Sequence, residues 1–191
     1  MKVSICSTSL LSVRQKKKQN TYQILIGNIK TPRNIIFSHF DSIGNGAIDN
    51  ASGTAIMIQV ILSNKKSLKD NLFVFDGNEE IPYDKPVYWG KGYRNFEKKY
   101  SKQISKAEKL IIIDCVGYDK TIVLTRKSQN NIIKLAFPIE NINKYSSKIK
   151  LITFDYDKLM SVYHSDLDIP ELIKESYLEE ALEILSNSVL I

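Results

Sequence analysis

Four short apolar runs, separated by longer stretches with helical spacing, limit what this chain can fold into more than any other feature. The runs are Asn34–Phe40 (NIIFSHF), Leu72–Phe75, Leu110–Cys115 (LIIIDC) and Ile149–Phe154. Each is short, apolar and rich in β-branched or aromatic residues, which predicts buried strands. Between the first two, Asn50–Leu62 has apolar positions suited to a helix entered through Asp49 and Asn50, both good capping types. Between the second and third, Tyr93–Lys109 places Phe96, Tyr100, Ile104 and Ala107 at helical spacing. A closing helix is predicted over Pro170–Leu185, with Leu172, Ile173, Leu178, Ala181, Leu182 and Ile184 turned to the core. Near the start, Leu11–Gln15 and Thr21–Ile26 flank a charged QKKKQN turn and predict a hairpin at the sheet edge.

Strand, helix, strand, helix, strand is the order of an α/β protein. The expected architecture is a three-layer α/β/α sandwich around a mixed, mostly parallel central sheet. The 191 residues suit one compact domain spanning 1–191, with residues 1–30 as its edge hairpin. In such a sheet, the loops leaving the carboxyl ends of the strands form the binding crevice. His39 and Asp41 end the first strand, Asp49 enters the next helix, Glu79 and Glu80 follow the second strand, and Asp114 ends the third. These cation-binding side chains are therefore predicted to converge on one rim.

The chain holds two histidines, and both sit beside acidic residues, in HFD at His39–Asp41 and in YHSDLD at Tyr163–Asp168. A lone histidine is most often a surface or hydrogen-bonded core residue. Here the carboxylates Asp49, Glu79, Glu80 and Asp114 flank apolar strands, where an unpaired ionised group is costly and a divalent cation would offset the cost. Imidazole with carboxylate suits zinc and, less selectively, manganese or cobalt.

Other functional classes fit less well. Lys and Arg number 27 against 21 Asp and Glu, but the excess lies in runs such as Arg14–Lys18, Lys65–Lys69 and Lys98–Lys109, which read as solvated faces. The Lys, Arg, Tyr and Trp mixture of Lys85–Tyr100 lies in no nucleic-acid module, so no nucleic-acid partner is expected. Cys6 and Cys115 form no CxxC pair and read as free thiols of a reducing compartment. With no signal-peptide core and no membrane span, a cytoplasmic protein without a membrane partner is expected. Cys115 as a nucleophile would need a histidine that the metal set does not spare. Gly44–Gly53 lacks the GK[ST] of a phosphate loop, and DSIGNGAIDN lacks the spacing and closing glutamate of a calcium loop.

The same blocks resemble the di-zinc aminopeptidases of peptidase family twenty-eight, which include leucyl aminopeptidases, glutamate carboxypeptidase and glutaminyl cyclases. IIFSHFDS (Ile35–Ser42) and GAIDNASGTA (Gly46–Ala55) resemble its H-x-D and A-x-D-N-A-S-G blocks, FVFDGNEE (Phe73–Glu80) its paired glutamates, LIIIDCVG (Leu110–Gly117) its aspartate ligand, and YHSDLDIPELI (Tyr163–Ile173) its last histidine block. The match is colinear from about residue 34 onward. It implies a zinc-peptidase, phosphorylase/hydrolase-like fold and two zinc ions per chain. His39 and Asp114 would hold one zinc, Glu80 and His164 the other, and Asp49 would bridge both. Glu79 would be the general base, and Asp41 would accept from the His39 ring. Asp168 would support His164 or the pocket, and Tyr156 or Tyr163 would assist the oxyanion.

The implied activity is a zinc-dependent exopeptidase that hydrolyses the N-terminal bond of peptides with a free N-terminus, through a metal-bridged water. Two alternatives stand beside it: a glutaminyl-cyclase-like acyltransferase with a single zinc, and a non-catalytic, metal-stabilised peptide-binding scaffold. Asp49 follows His39 by ten positions, and the distance from Asp114 to His164 is also short for the family. That implies a trimmed rim, either open or completed by a neighbouring subunit of a homo-oligomer. Tyr83, Tyr88 and Trp89 are candidates for the specificity pocket or for simple packing.

Overall fold

Neighbouring apolar residues on each inner strand point to opposite faces of the sheet, and both faces are covered. The computed structural model describes residues 22–80, 89–125 and 130–189. In chain order its elements are β1 (Gln23–Gly27), β2 (Asn34–His39), α1 (Ser52–Ser63), β3 (Asn71–Asp76), α2 (Lys91–Lys106), β4 (Lys109–Ile113), β5 (Ile122–Thr125), α3 (Asn130–Ala136), α4 (Ile142–Tyr145), β6 (Ile149–Thr153), α5 (Tyr156–Leu159) and α6 (Glu175–Val189). The six strands lie in the order β1-β3-β2-β4-β6-β5. The four inner strands are parallel, and β1 and β5 run antiparallel at the two edges. The three-layer, mostly parallel mixed sheet is the architecture present.

Alternation explains the layers. Ile35, Phe37, Leu72, Val74, Leu110 and Ile112 point to one face, where Tyr93, Phe96, Tyr100 and Ile104 of α2 and Ile133 of α3 pack on them. Ile36, Phe73, Phe75, Ile111 and Ile113 point to the other and meet Ile56, Met57 and Val60 of α1 and Ala181, Leu185 and Val189 of α6. Fully burying one such side chain contributes roughly 1.5–3 kcal/mol. The two-sided demand for apolar residues is what made the inner strands legible as continuous runs.

The differences are local. The first helix begins at Ser52, because the backbone at Asp49 (φ −115°, ψ 87°) and Asn50 (φ −140°, ψ 41°) is not helical. The second ends at Lys106, since Ala107 is already extended (ψ 142°) to re-enter the sheet at Lys109. The closing segment is split: Pro170–Leu172 makes one tight turn, Ile173 is extended, and Lys174 donates its N–H to the Gly117 carbonyl at 2.8 Å before α6 starts. Strand β5 and the short helices α3, α4 and α5 were not expected. Of the predicted hairpin, Gln23–Gly27 is the edge strand paired with β3, whereas Leu11–Gln15 lies outside the described residues. Among the described residues, no helix is long and apolar enough to cross a membrane.

Candidate metal centre

Parallel strands β2, β3 and β4 deliver their carboxyl ends to one rim, and the loops leaving them carry the predicted side chains. His39 closes β2 and is almost fully buried. Its Nε2 lies 3.1 Å from Asp49 Oδ1 and 3.3 Å from Asp114 Oδ1. His164, in a left-handed backbone conformation (φ 53°), has Nε2 3.5 Å from Asp49 Oδ2 and 2.8 Å from Glu80 Oε2. Asp49 thus presents one oxygen to each imidazole. Among the described residues, His39, Asp49 and Asp114 form one group with candidate ligand atoms within 4.8 Å of one another; Asp49, Glu80 and His164 form a second, and His39, Glu79 and Glu80 a third. All seven residues singled out from the sequence, Asp41 and Glu79 included, lie at this rim.

Hydrogen bonding shows what the site can hold. The Nδ1–H of His39 points to the main-chain carbonyl of Asp41 at 3.0 Å, and a carbonyl can only accept. Neutral His39 therefore carries its proton on Nδ1 and turns the Nε2 lone pair toward two carboxylate oxygens. Such a set of acceptors calls for a cation or an extra proton between them. Nε2 of His164 is buried without an aligned hydrogen-bond partner, although Glu80 Oε2 is close. Tetrahedral ligands about 2.0–2.2 Å from zinc stand roughly 3.3–3.6 Å apart, and three of the four imidazole–carboxylate distances are near that spacing. The donor set fits zinc.

Without metal, protons fill the role. Burial lowers the pKa of His39, but hydrogen bonds with Asp114, Asp41 and Asp49 outweigh it and hold the ring well above its usual value. Burial likewise lowers His164, while the Asp49 and Glu80 carboxylates raise it further, to about 9. For Asp49, burial raises the carboxyl, yet bonds to both histidines bring it below its ordinary range. Burial pushes Glu80 up to about 7 despite His164 beside it, and pushes Glu79 well above the carboxylate range.

The DNASG segment has a physical explanation in Asn50 and its neighbours. Asn50 Nδ2 donates to Ser38 Oγ (3.1 Å) and to the Ile113 carbonyl (2.9 Å), while its Oδ1 accepts from the Gly53 and Cys115 amides. One amide side chain thus ties the ends of β2 and β4 to the start of α1. Ser52 Oγ donates to the Ile48 carbonyl at 2.8 Å and accepts from Val116 N–H at 3.3 Å. A Cβ at Gly53 would stand 2.4 Å from Asn50 Oδ1, so only glycine fits there. The Asp49–Asn50 peptide bond is cis.

Two aspartates hold backbone amides, a use the sequence did not predict. The Asp41 carboxylate lies 3.7 Å from the His39 ring and also accepts the Glu79 N–H (3.2 Å) and the Glu80 N–H (3.0 Å). Asp168 touches neither His164 nor the pocket by any hydrogen bond present; its carboxylate accepts from the Ile48 and Asp49 amides. Tyr156 donates its hydroxyl to Asp114 Oδ2 at 3.0 Å, and the Tyr163 ring stacks on His164 with centroids 3.6 Å apart.

The rim opens into a cavity of about 500 Å³. His39, Asp49, Glu79, Glu80, Asp114 and His164 make its polar floor, and Ile43, Trp89, Ile132, Leu135, Leu159 and Met160 contribute an apolar wall. No Lys or Arg is among its described lining residues. Trp89 is held by donating its indole N–H to the Leu135 carbonyl at 3.0 Å. Tyr83 and Tyr88, the other aromatic candidates, lie outside the described residues. Sequence reading missed the wall from α3 and α5. The available signal was the helical spacing of Ile132, Ile133, Ala136 and Phe137 in NNIIKLAF.

Comparison with known proteins agrees with this picture. The profile of peptidase family M28 matches residues 23–144. No curated protein matches the chain in sequence. Among solved structures, the fold resembles a zinc aminopeptidase from Bacillus subtilis, with TM-score 0.65 and 19% identity over 88% of this chain and 48% of that one. It also resembles the glutaminyl cyclase of Porphyromonas gingivalis, with TM-score 0.66 and 16% identity over 88% of this chain and 75% of that one. A Zn-dependent exopeptidase from Parabacteroides distasonis has TM-score 0.65 and 15% identity, over 88% of this chain and 76% of that one. The chain spans about half the length of the aminopeptidase structures it resembles.

Proposed function

The chain belongs to peptidase family M28, and on that premise we propose that it is a zinc-dependent exopeptidase cleaving the N-terminal bond of peptides. The observation that carries this reading is Asp49, whose two oxygens face two imidazoles across two carboxylate-rich groups. His39, Asp49 and Asp114 would hold one zinc, and Asp49, Glu80 and His164 a second; manganese or cobalt would suit the same donors. When bound, such ions polarise a carbonyl and lower the pKa of water.

Glu79 is the general base in this reading. Its buried carboxyl, held above the ordinary range, takes a proton from the attacking water and returns it to the leaving amine. The amide grip of Asp41 keeps Glu79 and Glu80 side by side, so that one faces the reaction and the other His164. Tyr156 is engaged on Asp114 and acts through it, which leaves Tyr163 as the hydroxyl to steady the oxyanion. The wall of Ile132, Leu135, Leu159 and Met160 suits a bulky apolar first side chain, and among the described lining residues no Lys or Arg faces an acidic one.

Metal analysis combined with a substrate panel tests the proposal. The expected result is two zinc ions per chain, chelator-sensitive hydrolysis of leucyl and phenylalanyl substrates, and little action on glutamyl ones. One zinc together with pyroglutamate formation from an N-terminal glutamine would establish the cyclase alternative. Bound zinc with neither activity would establish the scaffold.

A further inference from the structure

The segment that carries Asp49 is held locally by little more than one wide turn, in which the Ala51 N–H donates to the Gly46 carbonyl at 3.0 Å. At Asp49 and Asn50 the backbone leaves helical geometry, and the preceding Gly46 is left-handed (φ 65°). Yet Asp49 must aim two oxygens at two different histidines. Its placement comes from across the fold. The Ala47 N–H donates to the Asp168 main-chain carbonyl (3.2 Å), the Ile48 N–H to Asp168 Oδ1 (2.6 Å) and the Asp49 N–H to Asp168 Oδ2 (3.0 Å). Three consecutive amides are thus gripped by one residue that is only 1% exposed.

The loop making this grip is also the loop that carries His164. Asn45 Nδ2 donates to the Asp166 carbonyl at 2.7 Å, and a Cβ at Gly44 would stand 2.5 Å from the Ser165 carbonyl oxygen. Segments 44–49 and 164–168 are therefore pressed together along their length. Asp41 acts in a parallel way on the other side: from the His39 loop it holds the amides of Glu79 and Glu80. Each histidine loop thus sends an aspartate to fix the backbone of a carboxylate-bearing segment.

We propose that Asp168 is a positioning residue that sets Asp49 between His39 and His164, and so sets the spacing of the two halves of the metal site. The inference rests on the zinc reading above only for its consequence, since the grip itself is independent of metal. A carboxylate is required because both of its oxygens accept. Asparagine at this position would keep one acceptor and turn an NH2 group against a backbone N–H.

The test is Asp168→Asn, isosteric with the original, read by circular dichroism, by zinc affinity in competition with a chelator, and by steady-state kinetics. With the fold retained, zinc affinity falls about 10–100-fold and kcat falls with it, while KM changes little. Asp168→Glu, which keeps the charge and both acceptors, recovers part of the loss. Unchanged zinc affinity in a folded Asp168→Asn protein overturns the proposal. Should that variant not fold, amide exchange in the unsubstituted, metal-free chain decides: slow exchange at Ile48 and Asp49 supports the grip, and exchange as fast as at exposed Gly44 and Asn45 refutes it. An unsubstituted chain that binds no zinc defeats the zinc reading alone, because the exchange measurement still judges the grip.

Discussion

The floor and the wall of the cavity are built in opposite ways. Every acidic group of the floor sits at a strand end or on a segment whose amides are gripped by an aspartate carboxylate or by Asn50. The wall comes from the short helices α3 and α5 and from Trp89, and it is partly open: Leu135 is 55% exposed and Met160 68%. Directional bonds at a rigid sheet edge hold charges to a fraction of an ångström, as metal chemistry requires. Packing alone holds the wall, and packing tolerates exchange of side chains of similar size. In the proposed exopeptidase, chemistry would therefore fall to the floor and selectivity to the wall.

That contrast is most directly broken at Glu79. Glu79→Gln keeps the volume and the amide grip but removes the proposed base, and kcat should fall about 10²–10⁴-fold with zinc content unchanged. Full activity in a zinc-loaded variant would remove Glu79 from the reaction.

Next in size is a pH effect confined to the floor. Zinc binds neutral imidazole, whereas His164 in the metal-free protein keeps its proton until about pH 9 and His39 is likewise held protonated above its usual range. Binding must displace those protons, so zinc affinity rises as pH rises toward 9, by up to about tenfold per pH unit for each imidazole. The metal-free protein behaves in the opposite sense. The stabilisation from its raised histidines is fully present below the unfolded value of 6.5 and is lost as pH climbs through the folded one. Calorimetric zinc titrations at several pH values, alongside melting of the metal-free chain, would show the two trends crossing. A zinc affinity flat between pH 6.5 and 8.5 would contradict the arrangement.

The smallest effect is expected at the wall. Leu135→Ala or Met160→Ala should raise KM for leucyl and phenylalanyl substrates about tenfold, leave alanyl substrates nearly untouched, and leave zinc affinity unchanged. Loss of zinc in either variant would show that wall and floor are one unit.

Much of this arrangement was readable along the chain. Strands β2, β3, β4 and β6 are buried on both faces, so their apolar runs announced them, and the rule that crevices form at carboxyl ends placed His39, Asp49, Glu80 and Asp114 together. The start of α1 was misjudged because Asp49 and Asn50 are good capping residues whose side chains are taken instead by the two histidines and by the ends of β2 and β4. The edge strand β5 escaped because only Leu124 of its four residues is buried. Helices α3 and α5 are too short for their spacing to stand out from the loops around them.

What the sequence determined by itself was the layering and the chemical inventory of the rim, since alternation and residue type are local properties written in order. What only the tertiary structure decided was the use of Asp41 and Asp168, which grip amides 38 to 120 positions away, and the apolar wall. A carboxylate carries no local mark of which distant N–H it will meet. That partner exists only once the sheet has brought two loops side by side.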